Sequence, residues 1–226
     1  MKYYKLTHNG LDKKQVGIFP QSTESFIGDI QQSFIPFEGP IHFDFDLPVP
    51  KLQNKAKPTT YLNVISIPSW FLVIKKYFIE FLKDFNIGNY QVWDIKVEYK
   101  KSVMNDYCLF ILTDTKQNDY IDFIKSEFYI GKTYNYKYVG DTIKIIDHQN
   151  YLSTREVLKE DNLWLKCRKG VLDLRKAKED MFRLINAPIG GYYVSERLKN
   201  AIREKGYTGM DFKEIEEYDK KIKVIY

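Results

Sequence analysis

"PSWFLVIKKYFIEFLKDFNIGNYQVWDI" (residues 68–95) lies without a gap over "PIGGYYVSERLKNAIREKGYTGMDFKEI" (residues 188–215), an offset of 120 residues. Each stretch reads as proline, apolar strand, helix, turn, strand. In the first, Ile74, Phe78, Phe81 and Leu82 fall at i, i+4, i+7 and i+8; in the second, Val194, Leu198, Ala201 and Ile202 do the same. That spacing places each set on one face of a helix. Gly206 stands where a left-handed residue closes a helix, and the aligned Asn86 is the next most suited residue. Each precedes an apolar residue, Tyr207 or Ile87, as a Schellman cap requires. Only Pro68/Pro188 and Ile95/Ile215 are identical, so two ordinary strand-helix elements sharing the same physics explain the match as well as a duplication does.

Outward from these stretches the pattern is that of strands. "YQVWDIKVEYK" and "DYCLFILTD" are strand-length runs joined by the polar "KSVMN", a hairpin signature. "NDYIDFIKSEFYI", "YNYKYV" and "DTIKII" are shorter apolar segments punctuated by Gly131 and Gly140. Ser153 and Glu156 in "STRE" have capping-box spacing and predict a helix start. "LWLKCRK" returns to strand, and the terminal "KIKVIY" suits an edge strand. Before residue 60 the chain is irregular: "KYYKL" and "VGIF" read as short strands, "IHFDFDL" alternates, and "LPVPKLQNKAKP" is a proline- and lysine-rich connector. The expected organisation is an irregular segment (1–60) packed on one α+β unit (61–226). The expected fold class is α+β, mostly antiparallel sheet with a few short helices, built on two related strand-helix-strand units.

The 226 residues are 44% hydrophobic and 16% aromatic, with 18 tyrosines, a composition of sheets and contact surfaces. The net charge is +5, but guanidinium is confined to Arg155, Arg168, Arg175, Arg183, Arg197 and Arg203. The lysine bias argues for solubility over phosphate reading, so no nucleic acid partner is expected. Cys108 and Cys167 form no CxxC pair and read as buried thiols of a reducing compartment. "MKYYKLTHNG" lacks a signal-peptide core, and "VISIPSWFLVI" is too short to span a bilayer and is broken by Pro68. A cytoplasmic protein with no membrane partner is expected.

Candidate chemistry is sparse. Ser195 lacks the GxSxG elbow of a nucleophile; it precedes the apolar helix face, with Glu196 in the first turn, and reads as an N-cap. His42, Asp44 and Asp46 would share one face of a strand and could hold a metal for a hydrolase, but no HxxE or HExxH partner accompanies them. Gly190-Gly191 suits a turn or bulge better than an anion cradle. His8 and His148 stand alone and read as structural. The acidic run "MDFKEIEEYDKK" reads as solvated surface. The expectation is no catalytic residue, no metal and no cofactor.

The stretch "FRLINAPIGGYYVSERLKNAIREKGYTGMDF" adds a resemblance. It is similar to the carboxy-terminal signature of bacterial families, long known as domains of unknown function, that are assigned as immunity proteins of polymorphic toxin systems. Their pattern is an apolar strand, V-S-E-x-L-K/R, an amphipathic helix, then G-x-T-G-x-x-F. The matching residues are Val194, Ser195, Glu196, Leu198, Lys199, Gly206, Thr208, Gly209 and Phe212. Weaker similarity extends over residues 50–215, and the first copy lacks V-S-E. The resemblance implies a cytosolic, non-enzymatic protein that binds and neutralises a cognate toxin by direct contact. The sequence names neither the toxin nor the contact residues. A hydrolase using His42, Asp44 and Asp46, and a nucleic-acid-binding module, are the alternatives.

Overall fold

The computed structural model describes residues 1–26, 38–132, 138–185 and 190–226. The chain opens with strand β1 (Tyr3–His8), the short helix α1 (Lys13–Val16), β2 (Ser22–Phe26), β3 (Val49–Leu52), β4 (Tyr61–Leu62) and β5 (Leu72–Lys75). Helix α2 (Lys76–Leu82) leads to the hairpin of β6 (Tyr90–Tyr99) and β7 (Ser102–Leu112). Then come α3 (Gln117–Tyr120), β8 (Glu127–Lys132), β9 (Thr142–Ile143), α4 (His148–Glu160), β10 (Leu163–Asp173) and β11 (Met181–Leu184). The chain ends with β12 (Gly191–Ser195), α5 (Glu196–Glu204), β13 (Met210–Glu214), α6 (Ile215–Tyr218) and β14 (Ile222–Ile225). The fold is α+β with three mostly antiparallel sheets, as expected. Their orders are β2-β3-β6-β7-β5-β4, β11-β12-β1-β13 and β14-β10-β8-β9.

The sheets stack in three layers, and strand alternation assigns each face to its core. In β7, Tyr107, Leu109 and Ile111 point to an outer core with Leu62, Val73 and Val97. Cys108, Phe110 and Leu112 point the other way and meet Tyr4 and Leu6 of β1 and Val194 of β12, with α2 and α5 in the same layer. On the far side of that second sheet, Tyr3, Phe182 and Tyr193 pack on Phe128, Leu165 and Leu172 of the third. Burial on both faces is why "CLFIL" runs apolar without alternating with polar residues.

The 120-residue offset reappears as one register. Cys108 pairs with Ile74 on one side and Asp94 on the other; Tyr4 pairs with Val194 and Glu214. Tyr61 and Leu62 pair with Ile74 and Val73 as Met181 and Phe182 pair with Val194 and Tyr193. The order β4-β5-β7-β6 is thus repeated as β11-β12-β1-β13. The buried helix positions also coincide: Phe78, Ile79 and Leu82 in α2, Leu198, Lys199 and Ile202 in α5. The likeness starts upstream of Pro68: Lys75 N–H donates to the Thr60 carbonyl at 2.9 Å, and Ser195 N–H donates to that of Asp180 at 2.8 Å. Pro188 lies outside the described residues. The units differ in the source of the middle strand: β7 follows β6 through a tight turn, whereas β1 comes from the chain's beginning.

Several local readings are corrected. "KSVMN" is mostly strand; β7 starts at Ser102 and the turn is held to Lys100 and Lys101, with Lys100 at φ 56°. Helix α4 starts at His148, capped by Asp147, whose carboxylate accepts the Asn150 N–H at 2.7 Å. Ser153 lies inside it and donates to the Asn150 carbonyl, so the capping-box spacing misled. "VGIF" contributes only Val16 to α1. "IHFDFDL" is not a strand; the Gln91 side chain bonds the Ile41 N–H and carbonyl at 2.7 and 3.0 Å in place of a ladder. The connector contains β3, antiparallel to β2 and parallel to β6. Most of "YNYKYV" lies outside the described residues. "KIKVIY" does form an edge strand, β14, parallel to β10.

Candidate functional site

The signature residues assemble around α5, and their roles there are architectural. Ser195 is fully buried; its Oγ accepts the Leu198 N–H at 3.1 Å and donates to Asp180 Oδ1 at 2.7 Å. A hydroxyl so placed is the N-cap of α5. Glu196, in the first turn, accepts the Tyr4 hydroxyl at 3.0 Å. Lys199 is buried, with its ammonium 3.5 Å from the Tyr4 ring centroid. Val194, Leu198 and Phe212 belong to the core shared with the first unit.

Gly206 (φ 69°) closes α5 with both Schellman bonds, Tyr207 N–H to the Ile202 carbonyl and Gly206 N–H to that of Arg203. The parallel expectation for Asn86 fails: among the described residues positive φ in that turn falls on Gly88. Asn86 instead serves the other unit, its N–H donating to Asp180 Oδ2 at 3.0 Å and its carbonyl accepting the Asp180 N–H at 2.6 Å. The reciprocal tie is Thr208, which exchanges backbone and hydroxyl bonds with Thr60 and whose carbonyl accepts the Tyr61 N–H at 3.0 Å. The turn after each helix is therefore held by the other unit.

Asp180 is the hub the sequence reading missed. It is 2% exposed. Burial alone would raise its carboxyl pKa, but bonds from Arg197, Ser195 and the Asn86 N–H outweigh that and hold it below the usual carboxylate range. The available signal was its position 120 residues after Thr60.

The other candidates do not converge. His42, Asp44 and Asp46 are all exposed, and no group of three metal-ligating side chains forms among the described residues. Cys108 is buried, Cys167 only half-buried; both are free thiols, pushed up to about 12 chiefly by burial. His8 stacks on Tyr61 at 3.9 Å and bonds the Leu62 carbonyl and the Asn63 amide. His148 is buried beside Phe123 and Tyr151. At Gly190-Gly191 the Gly190 carbonyl accepts the Lys5 ammonium, and a Cβ at Gly191 would collide with Lys5 Nζ. The acidic run is partly spent on structure, with Glu214 paired to Lys2, Asp211 to Lys213, and Glu216 accepting the Val224 N–H.

An exposed aromatic and basic face lies on the third sheet. Leu165 and Phe128 face the core, so Trp164 and Lys166 of β10 and Tyr129 of β8 face outward, Trp164 opposite Gly131 and Lys166 opposite Tyr129. Trp164 is 55% exposed. Arg168, at a register shift in β10, lies 5.3 Å from the Tyr129 ring centroid. Among the described residues no carboxylate pairs with Arg168 or Lys144, and Lys169 and Glu127 approach only to 3.8 Å. The chain matches no known family model and no curated protein. No helix among the described residues is long and apolar enough to cross a membrane.

Proposed function

We propose that the protein is an immunity protein that captures a cognate bacterial toxin by direct contact through the outward face of β8 and β10. The observation that carries the surface is the trio Trp164, Tyr129 and Arg168. These are the residue types that concentrate binding energy in protein interfaces, and here they stand together on paired strands. Strands hold them in place before encounter, so little side-chain ordering remains to be done on binding. The resemblance around Val194, Ser195, Glu196 and Gly206 supplies the biological class, and the α5 region that carries it supplies scaffold. The charge of the face calls for an acidic patch on the toxin, which would speed encounter and favour the right partner.

The test is co-expression with a toxin encoded beside this gene, followed by purification of the complex. Trp164→Ala and Arg168→Ala should each weaken binding by about tenfold or more and reduce protection of the cell, with unchanged thermal melting. Protection and affinity that survive the double variant would remove this face from the proposal. Steeply salt-dependent binding of single-stranded oligonucleotides, lost in Trp164→Ala, would favour the nucleic-acid module instead.

A further inference from the structure

A cavity of about 440 Å³ opens beside β1 and the start of β12, with Thr7, Leu62, Phe71, Val73 and Gly191 among its walls and Lys5 lining it. Lys5 is 5% exposed. Its Nζ donates to the Gly190 carbonyl and lies 4.6 Å from the Tyr193 ring centroid and 5.7 Å from that of Tyr218. No carboxylate among the described residues pairs with it. Lys213, its neighbour on β13, takes Asp211 at 2.7 Å. Among the described residues the titratable groups nearest the amine are Tyr193 on β12 and Tyr218 on α6, with the already paired Lys213 opposite on β13 and the His8 ring on the same cavity wall. None of these offers it a negative charge at neutral pH. Gly191 keeps the space that the amine occupies.

We propose that this cavity is a capture site for a small uncharged carbonyl compound, which the Lys5 ε-amine holds as an imine. Burial lowers the amine to about 7, so a large share is neutral and nucleophilic near neutral pH. The nitrogen lone pair adds to the carbonyl carbon as the C=O π electrons move to oxygen. A proton passes from nitrogen to that oxygen, and loss of water then leaves a C=N bond. No oxidant or reductant is consumed. An anionic ligand fits less well, because the nearby donors are committed: the His8 ring to the Leu62 carbonyl and the Asn63 amide to the other His8 nitrogen. The site shares no residue with the Trp164 face and stands or falls independently of toxin binding.

The experiment treats the full-length protein with salicylaldehyde and cyanoborohydride across pH 5–9, then maps reduced adducts by peptide mass spectrometry. Lys5 should be labelled about tenfold faster than exposed lysines such as Lys169 at pH 7, its rate levelling off above that pH while theirs keeps rising. Labelling of Lys5 no faster than of Lys169, or a rate still climbing at pH 9, would overturn the proposal. Lys5→Met, checked by thermal melting, should abolish the fast adduct. If that variant does not fold, the site-resolved rates of the unmodified sequence still decide.

Discussion

Ser195 and Asp180 are joined twice, by a hydroxyl-to-carboxylate bond at 2.7 Å and by the Ser195 N–H on the Asp180 carbonyl at 2.8 Å. A serine beside a carboxylate resembles half of a catalytic pair, yet both groups are buried and both serve the start of α5. Ser195→Ala removes the cap and one partner of a buried carboxylate, and should cost about 1–3 kcal/mol. Asp180→Ala also frees the Asn86 N–H and should cost about 2–4 kcal/mol. Urea unfolding of the two variants and the double variant checks this. The double should lose less than the sum, because the residues are in contact; strict additivity would count against the hub.

The unit around α5 was legible because its signals are local. A cap, an apolar face at helical spacing and a closing glycine lie within a short stretch, and each is found where those signals place it. The hairpin of β6 and β7 was legible for the same reason. What the sequence could not display is pairing at a distance. Nothing in "YYKLTH" says that it runs between β12 and β13, and nothing in "PVPKL" says that a proline-flanked strand pairs with β6. The start of α4 was misread because Ser153 offers the same chemistry inside a helix as at its end. Trp164 was visible as a residue, but its outward direction depends on which face of β10 the core takes.

Gly206 and Gly209 both hold positive φ, 69° and 85°, but their surroundings differ. A Cβ at Gly206 meets open space, whereas one at Gly209 would enter the Tyr61 carbonyl oxygen and crowd Thr59. Gly206→Ala should therefore cost about 1 kcal/mol, the conformational penalty alone. Gly209→Ala adds a backbone clash where the turn meets the first unit and should cost about 3 kcal/mol or more. Thermal melting of both variants separates the cases. Equal losses would mean that the contact between Gly209 and Tyr61 is looser than described.

Two groups on β1 make stability depend on pH in the same direction. Burial pushes His8 down to about 4, so its neutral form belongs to the folded state. The stability this provides is complete above the unfolded value near 6.5 and is lost as pH falls toward 4. Lys5, lowered to about 7, carries the full cost of a buried charge below that pH. The unfolded chain holds that proton up to about 10, so stability rises as pH goes from 7 toward 10, by on the order of 3 kcal/mol. Above 10 the buried tyrosines Tyr61 and Tyr193, whose values are raised by burial, reverse the trend. Denaturant unfolding from pH 4 to 9.5 should show both rises. Lys5→Met should flatten the upper one, and an unchanged slope in that variant would assign it to other groups.

The middle strand of the second unit is also the first strand of the chain. Between β12 and β13, β1 supplies ladder bonds on both edges, and its Tyr3 and Tyr4 enter the cores on opposite faces of the sheet. Among the described residues β12 pairs with β1 and β11, and β13 pairs with β1, so β1 is the strand that joins them. Removing residues 1–9 should therefore abolish cooperative folding, a larger effect than trimming an irregular tail would have. Adding the peptide MKYYKLTHN in trans should restore part of the protection of amide hydrogens in β12 and β13 during exchange, because the register is set by side chains on both faces. The same peptide with Tyr3 and Tyr4 changed to Ser should not. A truncated chain that melts like the full-length protein would show that the second unit closes without β1, and would undo the equivalence between β1 and β7.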